Sequence, residues 1–105
     1  MIEAEFFSSN GEICGFCISG HSGYSEEGSD IICASVSSAA YMTANTVTEI
    51  LGLNPKIDVA DGFLKLELKP NEAKGAQTVM LGFKFHLLRL EEQYSDYIVT
   101  KFSEV

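Results

Sequence analysis

The sequence predicts an α+β fold of two layers, in which two main helices pack on an antiparallel or mixed sheet. Three observations support this: two pairs of short β-compatible segments, a long helical pattern after each pair, and a 46% share of hydrophobic residues. The predicted element order is β-β-α-β-β-α, and residues 97–102 can add a final short strand. A chain of 105 residues is long enough for one domain, which we expect to span 1–105.

The first predicted hairpin joins residues 2–7 to residues 13–19 through Asn10-Gly11. Asn-Gly is a strong signal for a two-residue turn, because both residues adopt a positive φ at low cost. Three glycines in the segment that follows predict a mobile loop over residues 20–28, between the second strand and the first helix.

The first helix is predicted from about Ile31 to Leu51, with Ser29 or Asp30 as its N-cap. Gly52 is the stop signal that follows its last turn. Many side chains of this segment are small, so another element can approach the helix backbone closely.

A second hairpin is predicted around Asp61-Gly62, between residues 56–60 and 63–68. Leucines alternate with charged residues in the second of these segments, which is typical of a half-buried antiparallel strand. The second helix is predicted over residues 72–94, capped by Asn71, because apolar residues recur there at three- and four-residue spacing.

The charge balance restricts the classes of partner. Seven basic residues stand against 15 acidic ones, a net charge of −8, which argues against direct binding to nucleic acid. The same charge suits a basic peptide or protein, or serves solubility alone. No apolar run approaches the roughly 20 residues that span a bilayer, and the acidic N-terminus does not resemble a signal peptide. We therefore expect a cytoplasmic protein without membrane association, whose three cysteines stay reduced.

His21 and Cys33 form the most definite chemical pair in the sequence. A thiol with a pKa of about 8.5 is mostly protonated near neutral pH and needs activation to become a nucleophile. His21 can supply the base, and the first turn of the predicted helix would stabilise both the thiolate and an oxyanion. The alternative for Cys33 is a small buried hydrophobe, and the alternative for His21 is a loop histidine without a role.

Several neighbours of this pair are candidates for supporting roles. Asp30 can orient the imidazole of His21 or only cap the helix. Ser37 follows Cys33 by four positions and therefore shares its helix face, where it lines a pocket or simply packs. Small residues leave room for a substrate backbone, and the expected substrate contacts are Gly20, Ser22, Gly23 and Ser37.

Cys14 and Cys17 have the spacing of a redox dithiol. They lie inside a predicted strand, where positions three apart face opposite sides of the sheet, so two structural thiols are favoured. No metal site is predicted, because two further ligands at suitable spacing are missing. His86 lies on the apolar face of the second helix, which favours a core or interface histidine.

Residues 20–24 (GHSGY) and 28–37 (GSDIICASVS) resemble the signature of the ribosomal-processing cysteine proteases, the Prp family. The resemblance implies that Cys33 is the nucleophile, His21 the general base and Asp30 a third member, with no cofactor. It also implies a bacterial cytoplasmic homodimer that removes a short N-terminal extension from large-subunit ribosomal protein number twenty-seven, cutting after a phenylalanine pair. The expected interface residues on the second helix are Phe83, His86 and Leu90.

Two positions depart from the family pattern. Ser22 stands where the family usually has alanine, and Ser35 where alanine or glycine is common, and both are small residues in place of small residues. Two other hypotheses remain open at this point. The chain can be a non-catalytic module that binds a ribosomal protein or assembly factor through the same groove. It can also be a dithiol redox protein that uses Cys14 and Cys17, in which case Cys33 has no role.

Overall fold

A computed structural model of the protein describes residues 1–21 and 26–105, with side chains for all of them except 26–30. Its strands are β1 (Ile2–Ser9), β2 (Glu12–Gly20), β3 (Lys56–Ala60), β4 (Phe63–Glu67) and β5 (Ile98–Glu104). Its helices are α1 (Glu26–Asn45), continued by a π-helical turn at Thr46–Ile50, then α2 (Pro70–Ala73), a 3-10 turn at Lys74–Ala76, and α3 (Gln77–Gln93). The predicted α+β class is confirmed.

The described strands form one mixed sheet in the order β3-β4-β2-β1-β5. All neighbouring strands are antiparallel except β1 and β5, which are parallel and therefore need the long connection through the helices. The predicted turn at Asn10-Gly11 joins β1 to β2. The expected final strand is a full edge strand of seven residues.

The core lies between one face of the sheet and the helices α1 and α3. Three rings meet at its centre: Phe83 of α3 packs edge-on against Phe16 at 4.8 Å and against Phe6 at 5.5 Å between ring centroids. Such pairs contribute about 0.5–1.5 kcal/mol each beyond the area that they bury. On β4, Leu64 and Leu66 are buried in this core, as their alternation with charged residues predicts.

The predicted start of the first helix is wrong. α1 begins at Glu26, five residues before Ile31, so neither Ser29 nor Asp30 is its N-cap. Glycine and serine are weak helix formers, but Gly28 costs only about 1 kcal/mol against alanine. Each further residue of a growing helix adds one backbone hydrogen bond, which offsets that cost.

The second predicted helix is divided in two. Pro70 begins α2, and the predicted cap Asn71 lies inside that helix. A 3-10 turn that contains Gly75 separates α2 from α3, because glycine in this position weakens a continuous α-helix. The side chain of Gln77 holds the start of α3 against the sheet, since its Nε2 donates to the carbonyl of Ile13 at 2.7 Å and its Oε1 accepts the Ile13 N–H at 2.9 Å.

The first prediction concerns Glu72, whose carboxylate accepts the backbone N–H groups of Lys69 and Asn54, each at 2.9 Å. These bonds hold the pKa of Glu72 below its usual range. A carboxyl of this kind contributes stability that is fully present above its unfolded pKa of about 4.3 and is lost as the pH falls through the folded pKa. We expect the free energy of unfolding of Glu72→Gln to lie below that of the wild type at pH 6, and the gap to narrow towards pH 3.

Urea unfolding at a series of pH values measures this gap. Glu49→Gln makes the same change at an exposed carboxyl and is the matched control. A gap for Glu72→Gln that stays constant between pH 6 and pH 3 would contradict the assignment.

Candidate active site

The structure brings four of the predicted site residues to one pocket. The pocket has a volume of about 200 Å³ and lies between the end of β2, the middle of α1 and the turn from β3 to β4. Its lining includes Gly20, His21, Cys33 and Ser37. His21 and Cys33, which come from two separate segments of the sequence, therefore lie at the same pocket in the fold.

Helix α1 contributes Cys33 and Ser37, one turn apart on the same face, as their spacing predicts. Cys33 is half-buried and packs against the core cluster on one side, while Ser37 is exposed. Ile32 and Val36 point into the core. The helix thus divides its surface between the core and the pocket.

The predicted electrostatic role of the helix N-terminus is wrong. Cys33 is the eighth residue of α1, not a residue of its first turn. The free N–H groups of a helix belong to its first four residues, and the effect of the helix dipole falls off within the first turn. The helix N-terminus therefore supplies neither thiolate stabilisation nor oxyanion donors at Cys33.

Gly20 determines how His21 leaves the sheet. Its φ of +90° lies in a region that favours glycine, and a Cβ at this position would clash with the carbonyl oxygen of Met1. The N–H of Gly20 donates to the carbonyl of Gly62 at 3.0 Å. The last residue of β2 is therefore hydrogen-bonded to the turn between β3 and β4. The exposed side chain of His21 follows directly and lines the pocket.

Three predicted site positions lie outside what the structure describes. These are Ser22, Gly23 and the side chain of Asp30. The predicted loop over residues 20–28 is also corrected in part, because Gly20 is the last residue of β2 and residues 26–28 belong to α1. The expected mobility of the segment falls on residues 22–25, outside the described residues.

Sequence reasoning missed the contribution of the second hairpin to the site. Asp61-Gly62 was predicted only as a turn, yet both residues line the pocket, as do Tyr41 and Phe63. The turn lies there because β4 pairs with β2, with Ser19 opposite Phe63. No local pattern encodes which strands become neighbours, so no signal in the sequence identified these residues.

Cys14 and Cys17 lie on β2, away from the pocket lining, and both thiols are free. Burial raises the pKa of both thiols, which leaves them protonated near neutral pH. This favours structural roles. Within residues 1–21 and 26–105 there is no group of three or more His, Cys, Asp or Glu side chains that could hold a metal ion.

His86 is exposed, so of the two positions predicted for it, core or interface, the core is excluded and the interface stays a prediction. It lines a groove of about 630 Å³ between α1 and α3, together with Phe83, Leu90 and Met42. Phe83 is only 2% exposed and belongs mainly to the core.

Among the described helices, none is both long and apolar enough to cross a membrane.

Comparison with known proteins gives one protein family. The model of the family described as cysteine protease Prp matches residues 1–99. The ribosomal processing cysteine protease Prp of Bacillus subtilis is 29% identical over an alignment of 103 residues, and the match covers 91% of this chain and 92% of the relative.

Three solved structures share the fold. One is the ribosomal processing protease Prp of S. aureus, in complex with a covalently linked product peptide. It has a TM-score of 0.87 at 23% identity, and the match covers 97% of this chain and 99% of the S. aureus chain. The same protease with a substrate peptide has a TM-score of 0.86 at 22% identity, with the same coverage. A Streptococcus mutans protein has a TM-score of 0.84 at 25% identity and covers 100% of this chain and 96% of its own.

The second prediction concerns the thiols of Cys14 and Cys17. Because burial raises the pKa of each thiol, a smaller fraction is thiolate at a given pH, and the thiolate is the species that iodoacetamide alkylates. We expect the pH midpoint of alkylation at both residues to lie above about 8.5, the ordinary value for a cysteine. Mass spectrometry of digested samples gives the rate at each residue, with glutathione as the reference thiol. A midpoint at or below that of an ordinary cysteine would restore the redox hypothesis.

Proposed function

This chain belongs to the cysteine protease Prp family, and from that premise we propose that it cleaves a ribosomal protein with Cys33 as nucleophile and His21 as general base. The observation that best supports these roles is that both side chains line one pocket, although they come from different elements. A nucleophile and its base must meet within hydrogen-bond reach, which tightens in the substrate complex. We also propose Asp30 as the third member of the catalytic group, beside Cys33 and His21.

The proposed reaction has two stages. His21 accepts the thiol proton of Cys33, and the thiolate attacks the carbonyl carbon of the scissile peptide bond. The imidazolium then donates its proton to the leaving amine, so that a thioester to Cys33 remains. Water, deprotonated by His21, hydrolyses the thioester and regenerates the thiol. These steps need no cofactor.

The pocket has the size and lining for a peptide segment. Its volume of about 200 Å³ suits one large side chain, and its lining combines buried Val36 and Leu64 with exposed Tyr41 and Phe63. Apolar and aromatic walls suit an aromatic substrate side chain. Gly20 and Ser37 are the proposed substrate contacts in the described part of the chain. Ser22 and Gly23 keep the same proposed role.

The proposed substrate is the N-terminal extension of large-subunit ribosomal protein number twenty-seven, cut after a phenylalanine pair. The aromatic lining of the pocket supports that preference. The net charge of −8 supports a basic protein as substrate, because opposite net charge accelerates encounter, and it disfavours direct binding to nucleic acid.

We also propose that residues 1–105 form one protease domain that works in the cytoplasm as a homodimer. The groove between α1 and α3 supports the dimer, because His86 and Met42 are exposed there beside partly buried Leu90. Pairing two copies over such a groove would bury apolar surface that a small domain cannot bury alone.

The third prediction tests the nucleophile. Cys33→Ala removes the thiol and few packing atoms, so we expect cleavage of the ribosomal protein precursor to fall by about 10³-fold or more, with binding and fold retained. Intact mass spectrometry of the precursor measures cleavage, and fluorescence anisotropy of a labelled extension peptide measures binding.

Cys17→Ala is the matched control and should keep substantial activity. If Cys33→Ala cleaves as the wild type does, Cys33 is not the nucleophile. If the wild-type protein binds the peptide but does not cleave it, the alternative of a non-catalytic binding module is favoured.

A further inference from the structure

The side chain of His21 lies directly against the backbone of Gly62. A Cβ built on Gly62 would stand 2.9 Å from Nε2 and 3.2 Å from Cε1 of the imidazole. Real Cβ atoms essentially never approach other atoms within 3.0 Å, so any other residue at this position must displace the ring. Gly62 also has a φ of +67°, which glycine adopts without strain.

Gly62 is also hydrogen-bonded to Gly20, the residue that precedes His21. The carbonyl of Gly62 accepts the N–H of Gly20 at 3.0 Å, one position beyond the last strand pair, Ser19 with Phe63. The turn between β3 and β4 therefore contacts the His21 segment twice, once at the backbone and once at the ring. Both contacts come from a segment that is about 40 residues away along the chain and adjacent in the sheet.

We propose that Gly62 is a positioning residue for His21. By lacking a side chain, it lets the imidazole pack on the turn between β3 and β4, and this contact holds the base over the pocket that contains Cys33. The inference rests on the proposed role of His21 as general base.

The expected sensitivity follows from the geometry. Ordinary van der Waals contact begins at 3.4 Å, so a methyl group at Gly62 moves Nε2 by about half an ångström or more. Catalysis by a positioned base is sensitive to shifts of this order, and a misplacement of about 1 Å can cost about 100-fold in rate. Displacement of the base affects the chemical step, so this loss appears in kcat, whereas narrowing of the pocket that Gly62 lines appears in KM.

The chain offers a matched control in Gly11. Gly11 is also the second residue of a two-residue hairpin turn, and its φ is +79°. A Cβ built on Gly11 meets nothing within 4 Å. Alanine at either glycine therefore brings the same kind of backbone strain, and only Gly62→Ala adds a contact with the proposed base.

The fourth prediction compares Gly62→Ala, Gly11→Ala and the wild type. We expect both variants to lower Tm by a similar amount, about 4–8 °C. Gly62→Ala should lower kcat for peptide cleavage by about 10- to 100-fold, a larger factor than any change in KM. Gly11→Ala should keep kcat within about twofold of the wild type, since no reacting group lies near it.

The imidazole itself supplies a second readout that does not depend on activity. In NMR spectra of the two histidines, Gly62→Ala should shift the ring signals of His21 and leave those of His86 in place, whereas Gly11→Ala should move neither. If alanine at Gly62 prevents folding, Gly62→Asn and Gly11→Asn repeat the comparison, because asparagine tolerates positive φ better.

Three outcomes would overturn the proposal. The first is a Gly62→Ala enzyme with the kcat of Gly11→Ala, in a wild type that cleaves through Cys33, which contradicts the positioning role alone. The second is an unchanged set of His21 ring signals in the folded Gly62→Ala protein. The third is a wild type that does not cleave, which contradicts the proposed function and this inference together.

Discussion

The antiparallel pairing of β2 with β4 is the constraint on which the site depends. This register places Ile18 opposite Leu64 and Phe16 opposite Leu66, with all four side chains in the core. A slip of β4 by one residue would turn Leu64 and Leu66 to the other face of the sheet, so the buried face fixes the register. The same register brings the turn that follows β3 beside the end of β2, where His21 leaves the sheet.

The position of Cys33 on α1 makes the histidine more important. Because Cys33 is the eighth residue of its helix, the partial charge of the helix N-terminus does not act on its thiol. In the proposed mechanism, activation of the thiol then falls to the imidazole in the same pocket. In this mechanism, a contact that fixes the imidazole therefore affects the rate of catalysis more than it would for a thiol at a helix N-terminus.

Local features of the fold could be predicted from the sequence because they depend on near neighbours. The turn at Asn10-Gly11 needs two residues of positive φ, and the alternation around Leu64 and Leu66 needs only one buried face. The pair of Cys33 and His21 could be proposed from the two residue types, although a buried thiol and a loop histidine without a role were open alternatives. The structure places both at one pocket, whose lining also includes the turn between β3 and β4.

The features that could not be predicted depend on contacts between distant segments or on small energy differences. The start of α1 at Glu26 reflects helix propagation through Gly28, whose penalty of about 1 kcal/mol is too small to end a helix. The packing of His21 on Gly62 depends on strand order, which periodicity does not reveal.

Trapping of the covalent intermediate tests whether His21 activates Cys33 for attack on a peptide bond. Wild type and His21→Ala are mixed with a peptide that spans the junction between the extension and the mature ribosomal protein. The reactions are quenched with acid at short times, and mass spectrometry locates any thioester. The account predicts an acyl adduct on Cys33 that forms about 10²- to 10⁴-fold more slowly in His21→Ala. An adduct on another residue, or one that forms equally fast in both proteins, would contradict it.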